Sequence, residues 1–113
     1  MVSDRGMPVV RIAELGIDPA IDPAQLDRYK TLLREEVEAS IALEPGVLSL
    51  SAVSLADSPA SVRLLEVYAD QRAYESPLRS AHFLRYKALT DGVVRSLRLV
   101  GADPVILRAK APG

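Results

Sequence analysis

Between the breaker pairs Asp22-Pro23 and Pro45-Gly46, apolar residues recur at steps of three or four: Leu26, Tyr29, Leu33, Val37 and Ile41. On a helical wheel they span an arc of about 120°, while Asp27, Arg28, Arg34, Glu35 and Glu38 take the other side. Asp22 is a natural N-cap, Pro23 suits the first helical position, and Gln25 completes a capping box. A helix that is apolar on one face only must lie against another layer. That need constrains every other element of the chain.

The flanking segments supply the layer. Val10-Arg11-Ile12-Ala13-Glu14-Leu15 places Val10 and Ile12 on one face of a strand and Arg11, Ala13 and Leu15 on the other. Residues 47–55 alternate apolar side chains with serine, and residues 62–69 are rich in Val, Leu and Tyr, so both read as strands. Ala56-Asp57-Ser58-Pro59-Ala60 is turn chemistry, which makes the two a hairpin. After Asp70 the period becomes helical again. Pro77 interrupts a short helix running through Tyr74, and Ser80 caps a longer one from Ala81. Its apolar arc collects His82, Phe83, Tyr86, Leu89, Thr90, Val93, Val94 and Leu97, with Gly92 a weak spot on the opposite side rather than a stop. Residues 97–100 read as a final strand and 105–107 as a strand-like tail.

Strand, helix, strand, strand, helix, strand is the order of an α+β fold. Its simplest form is a ferredoxin-like split βαβ, with a four-stranded antiparallel sheet and both helices on one side. The chain of 113 residues is long enough for one such domain, expected over residues 9–109, with a flexible leader at 1–8 and a tail at 110–113. Leu65 and Val67 point away from Leu64, Glu66 and Tyr68, so the second sheet face is also partly apolar. With no chain left to cover it, a second subunit is expected there, sheet facing sheet.

Composition narrows the chemistry. Lys+Arg 14 against Asp+Glu 15 gives no basic surface for nucleic acid. No apolar run reaches the ~18 residues of a membrane-spanning helix, and a cytoplasmic location is expected. With Cys 0 and His 1, thiolate chemistry drops out and zinc finds no ligand set, so no metal is expected. Gly16 and Gly46 stand alone, so no phosphate-cradling loop supports a nucleotide or flavin.

What remains is a concentration of aromatics. Tyr68, Tyr74, Phe83, Tyr86 and the single histidine, His82, fall within residues 68–86. Glu66 and Tyr68 share one face of a strand, and His82 and Tyr86 lie one helical turn apart. If the helix covers that strand face, these groups converge in an apolar cleft with a few polar members, which is the usual form of a ligand site. Plainer readings stand beside this one. His82 can be a core histidine donating to a carbonyl, Glu66 can pair with Arg11 or Arg63, and the tyrosines and Phe83 can be packing residues.

The segments Leu64-Leu65-Glu66-Val67-Tyr68-Ala69-Asp70, Ala73-Tyr74-Glu75, His82-Phe83 and Tyr86-Lys87 together resemble the antibiotic biosynthesis monooxygenase family, in its quinol monooxygenase branch. Val10-Arg11-Ile12-Ala13, Glu44-Pro45-Gly46-Val47-Leu48 and Val94-Arg95-Ser96-Leu97 extend the similarity. The resemblance implies a dimeric α+β barrel and a monooxygenase that oxidises an electron-rich aromatic or quinol with O2, without a cofactor. It implies His82 and Glu66 as the catalytic pair, with Glu66 behind the imidazole, and Tyr68, Phe83 and Tyr86 as substrate-binding residues. Pro77 stands where relatives often carry a first histidine, and Ala81 where proline often precedes the His-Phe pair. Two other functions fit the same cleft: a dimeric small-molecule-binding protein without catalysis, and a cofactor-free isomerase.

Overall fold

A computed structural model describes residues 8–111; residues 1–7 of the leader and 112–113 of the tail lie outside the described residues. The chain runs β1 (Val9–Ile17), α1 (Pro23–Leu43), β2 (Val47–Leu55), β3 (Ser58–Tyr68), α2 (Gln71–Glu75), a 3-10 turn (Ser76–Arg79), α3 (Ala81–Thr90) and β4 (Val94–Ala102). The strands form one sheet in the order β2-β3-β1-β4, with every neighbouring pair antiparallel. Each of the two long helices therefore links a strand to another two places away in the sheet, which is the split βαβ arrangement.

Local chemistry sets the helix starts as the sequence implies. Asp22 Oδ1 accepts from the Gln25 amide at 2.9 Å, Asp70 Oδ1 from Ala73 at 2.8 Å, and Ser80 Oγ from Phe83 at 3.2 Å. The register fixes which strand residues face the helices. Arg11 opposes Glu66, Ala13 opposes Leu64 and Leu15 opposes Val62 across β1 and β3. Leu15, Ile17 and Val62 then pack with Tyr29 and Leu33 of α1 in one buried cluster, flanked by Val37, Leu64 and Tyr86. On the opposite sheet face Leu65 and Val53 are exposed.

Three expectations need correction. The long second helix does not continue past Gly92: α3 stops at Thr90, and Val94 onward is strand. Gly92 has φ +81°, a left-handed backbone that ends a helix readily only at glycine, and the β-branched Val93 and Val94 then favour extension. The hairpin turn shortens to Ala56-Asp57, because β3 begins at Ser58. A register irregularity between Ser54 and Leu55 accommodates Pro59, and Ser54 Oγ donates to its carbonyl at 2.6 Å. Residues 105–107 form no strand; Val105 and Ile106 are exposed, so no burial of apolar surface holds the segment extended against a neighbour.

The early end of α3 leaves the sheet unevenly covered. At a rise of 1.5 Å per residue, α1 with its 21 residues is about 31 Å long and α3 with its 10 is about 15 Å. In register, Leu97 opposes Leu15 and Leu99 opposes Ala13, so both face the helical layer. Yet they are 51% and 48% exposed. The helices do not reach far enough to bury them, and a hollow opens there. Among the described residues, no helix is long and apolar enough to cross a membrane.

A Cβ at Gly92 meets nothing within 4 Å, so a substitution there costs only backbone strain. Gly92→Ala is expected to lower stability by about 1 kcal/mol and Gly92→Asn by less, read from denaturant midpoints at unchanged m-value.

Candidate active site

The hollow is a cavity of about 480 Å³ between the sheet and the helices. Its floor includes Ala13, Leu15, Leu64 and Glu66, and its walls include Leu33, Val37, Tyr68, Tyr74, Phe83 and Tyr86, with Leu97 and Leu99 on the β4 side. That size lies within the range of small-molecule sites.

Glu66 is the polar centre of the floor. It lies mid-sheet in β3, where its side chain is 9% exposed. Tyr68, two residues along the same face, donates its hydroxyl to Glu66 Oε1 at 2.7 Å. Burial pushes the carboxyl above the ordinary glutamate range, while that hydrogen bond and the charge of Arg11 pull it partly back. Arg11 stands directly opposite Glu66, and its guanidinium lies 5.0 Å from the centre of the Tyr74 ring. Tyr74 in turn meets Tyr68 edge-on, with ring centroids 5.2 Å apart. Burial, and then the neighbouring carboxylate, pushes the Tyr68 phenol up, so it stays a hydrogen-bond donor.

Tyr86 supplies the polar group of the roof. Its hydroxyl shares a 2.7 Å hydrogen bond with the hydroxyl of Tyr29 in α1. Burial raises the Tyr86 phenol, with the charge of Glu36 adding to the effect and the bond to Tyr29 opposing it. Phe83 packs 6.3 Å from the Tyr86 ring and completes the apolar wall.

His82 is placed differently from expectation. Glu66, Tyr68, Phe83 and Tyr86 all line the cavity, but His82 does not. Its ring is held between two carboxylates that the sequence reading did not single out. Nδ1 lies 3.0 and 2.9 Å from Glu36 Oε1 and Oε2, and Nε2 lies 2.9 Å from Glu44 Oε2. Glu66 is therefore not the group behind the imidazole; it bonds to Tyr68 instead. Glu36 could have been noticed, since it sits three residues after Leu33 and four before Ser40, on the inward stripe of α1. Nothing local marks Glu44, which caps α1 and meets His82 only through the packing of α3 on α1.

Burial of the ring disfavours its charged form, but the hydrogen bonds and charges of Glu44 and Glu36 outweigh it and raise its pKa. A ring with a carboxylate at each nitrogen needs both protons to donate on both sides. Because those nitrogens lie on opposite edges of the ring, the three residues do not converge on one point. Among the described residues no group is disposed to hold a metal ion.

The sequence profile of the antibiotic biosynthesis monooxygenase family matches residues 12–89. Among solved structures, a "putative antibiotic biosynthesis monooxygenase" from Bacteroides thetaiotaomicron is 42% identical with a TM-score of 0.83, over 92% of this chain and 97% of that one. A "putative monooxygenase" from Lactobacillus acidophilus is 25% identical with a TM-score of 0.78, over 85% of this chain and 44% of that one. A protein from Nitrosomonas europaea, 20% identical over 92% of this chain and 96% of that one, shares the fold with a TM-score of 0.77. No curated protein matches the chain significantly.

The raised His82 pKa ties stability to pH. The folded ring binds its proton more tightly than the unfolded one, so its contribution is complete below the unfolded pKa of about 6.5 and fades as pH rises through the folded value. Thermal midpoints are expected to fall from neutral to mildly alkaline pH in the native protein, and to be flatter over that window in His82→Gln.

Proposed function

The chain belongs to the antibiotic biosynthesis monooxygenase family, and from that premise we propose that it oxidises an electron-rich aromatic, of the quinol class, with O2 and no cofactor. The observation that carries this reading is the buried Glu66 carboxylate on the floor of an otherwise largely apolar cavity. O2 is a poor partner for closed-shell organic molecules, so the substrate must itself supply an electron. Removing a hydroxyl proton makes a quinol a better reductant. Glu66, its basicity raised by burial, takes that proton, and Tyr68 orients the carboxylate. The phenolate passes one electron to O2, and the resulting radicals couple at a ring carbon to give a hydroperoxide. Cleavage of its O–O bond leaves one oxygen on the ring and releases the other as water. The balance for a simple hydroquinone is one substrate and one O2 to one hydroxyquinone and one water. Phe83 and Tyr86 hold the ring, with the Tyr86 hydroxyl available to a developing oxyanion.

The same reading includes a homodimer. The sheet face turned away from the helices presents Ile12, Val53 and Leu65 around the Arg98–Glu14 pair, and a second copy of that face would cover it. It also includes a cytoplasmic location, which suits a chain with Cys 0.

An oxygen electrode with metal- and flavin-free protein and a quinol panel tests the activity. Uptake is expected with at least one quinol, falling about 10²-fold in Glu66→Gln. Ligand-induced thermal stabilisation without uptake points instead to a binding protein, and product formed under nitrogen points to an isomerase. Leu65→Glu is expected to sediment as a monomer where the native chain sediments as a dimer; an unchanged sedimentation coefficient refutes the sheet-to-sheet contact.

A further inference from the structure

The cavity holds a second carboxylate that the reading above leaves unused. Glu36 projects from the buried stripe of α1, between Leu33 and Ser40, and lines the cavity together with them. Its side chain is only 11% exposed. A carboxylate in such a place is costly unless donors satisfy it, and here they are the His82 ring, which lies outside the cavity lining, and a hydroxyl of the same helix. His82 Nδ1 spans both oxygens, and Ser40 Oγ adds a bond to Oε2 at 3.2 Å. Oε1 is thus engaged by the ring alone and is the less satisfied atom. Glu44 holds the far nitrogen of the same ring, which keeps the imidazole aimed at Glu36.

We infer that Glu36 is a catalytic carboxylate on the helix side of the cavity, accepting a substrate hydroxyl, and that His82 is its positioning residue. This rests on the proposed oxidation of a quinol and deepens it. A para-diol carries two hydroxyl protons on opposite ends of the ring, and the cavity offers one acceptor on the sheet, Glu66, and one on α1, Glu36. Phe83 and Tyr86 of α3 line the wall that a flat ring would lie against. The substrate class is thereby narrowed to aromatics with two separated hydroxyl groups. Catechols and monophenols fill one acceptor site and leave the other empty.

The charged and titratable groups acting on the ring are Glu36 and Glu44, both from α1 and its cap. Those sensing Glu36 are His82 and Tyr86 from α3 and Ser40 from α1, and Tyr86 is tied to Tyr29. A hydroxyl donated to Glu36 weakens its hold on the imidazolium. Binding of a diol must then lower the His82 pKa, and by reciprocity the diol must bind more tightly as the ring loses its proton.

His82 is the sole histidine, so in untagged protein its NMR titration is unambiguous. The probe is 1,4-naphthalenediol, titrated under nitrogen. The His82 pKa is expected to fall on saturation in the native chain. In Glu36→Gln it starts lower and does not respond. No fall in the native chain, or an equal fall in Glu36→Gln, overturns the inference whatever the oxygen electrode reads; no binding of the diol at all overturns both readings. If the native chain binds the diol with the pKa response but takes up no O2, the oxidation fails and the role of Glu36 as acceptor stands. Where uptake is present, Glu36→Gln is expected to lower kcat by about 10²-fold. His82→Gln, which still presents a donor to Glu36, should retain more of the rate than His82→Ala; equal losses in the two refute the positioning role.

Discussion

The length of α3 is the constraint on which the site depends. A sheet with two helices on one face has a full core only where the helices reach. Here α1 spans the β3 side with 21 residues and α3 ends after 10. The buried cluster of Leu15, Ile17, Tyr29, Leu33 and Val62 fills the covered part. Where cover ends, Leu97 and Leu99 remain exposed beside open volume, and the polar groups of the interior gather around that volume. Gly92 causes this directly, since a left-handed residue after Thr90 turns the chain into β4.

Polar groups at the edge of a core persist only when they satisfy one another. The floor does so through Arg11, Glu66, Tyr68 and Tyr74, in which a carboxylate is bonded by a phenol and the guanidinium lies over an aromatic ring. The roof does so through Tyr29 with Tyr86, and through Ser40, Glu36, His82 and Glu44. Among the described residues, no buried side-chain nitrogen or oxygen lacks a partner. Two satisfied polar groupings thus flank one largely apolar hollow.

Much of the fold was legible in the chain because its signals are short-range. Asp22, Asp70 and Ser80 each cap a helix where a cap is needed, and alternation along β1 and β3 sorts Leu64, Glu66 and Tyr68 from Leu65 and Val67. Strand alternation and helical spacing bring Glu66, Tyr68, His82 and Tyr86 toward one cleft; Glu66, Tyr68 and Tyr86 line the cavity, and His82 does not. His82 was misplaced for a simple reason. A helical wheel puts it within the apolar arc, but the arc of α3 is shared between the sheet and α1, and His82 lies on the portion that meets α1.

The sequence by itself determined the order of elements, their caps, the pairing of helices with one sheet face, and the family. The first three follow from neighbours within a few residues or from periodicity, and the family from the resemblance of motifs spread along the chain. The structure alone decided what each polar side chain touches. The partners of His82 are 46 and 38 residues away, and Tyr29 is 57 residues from Tyr86. Such pairs depend on the distance and rotation of one helix against another, and no local pattern encodes either.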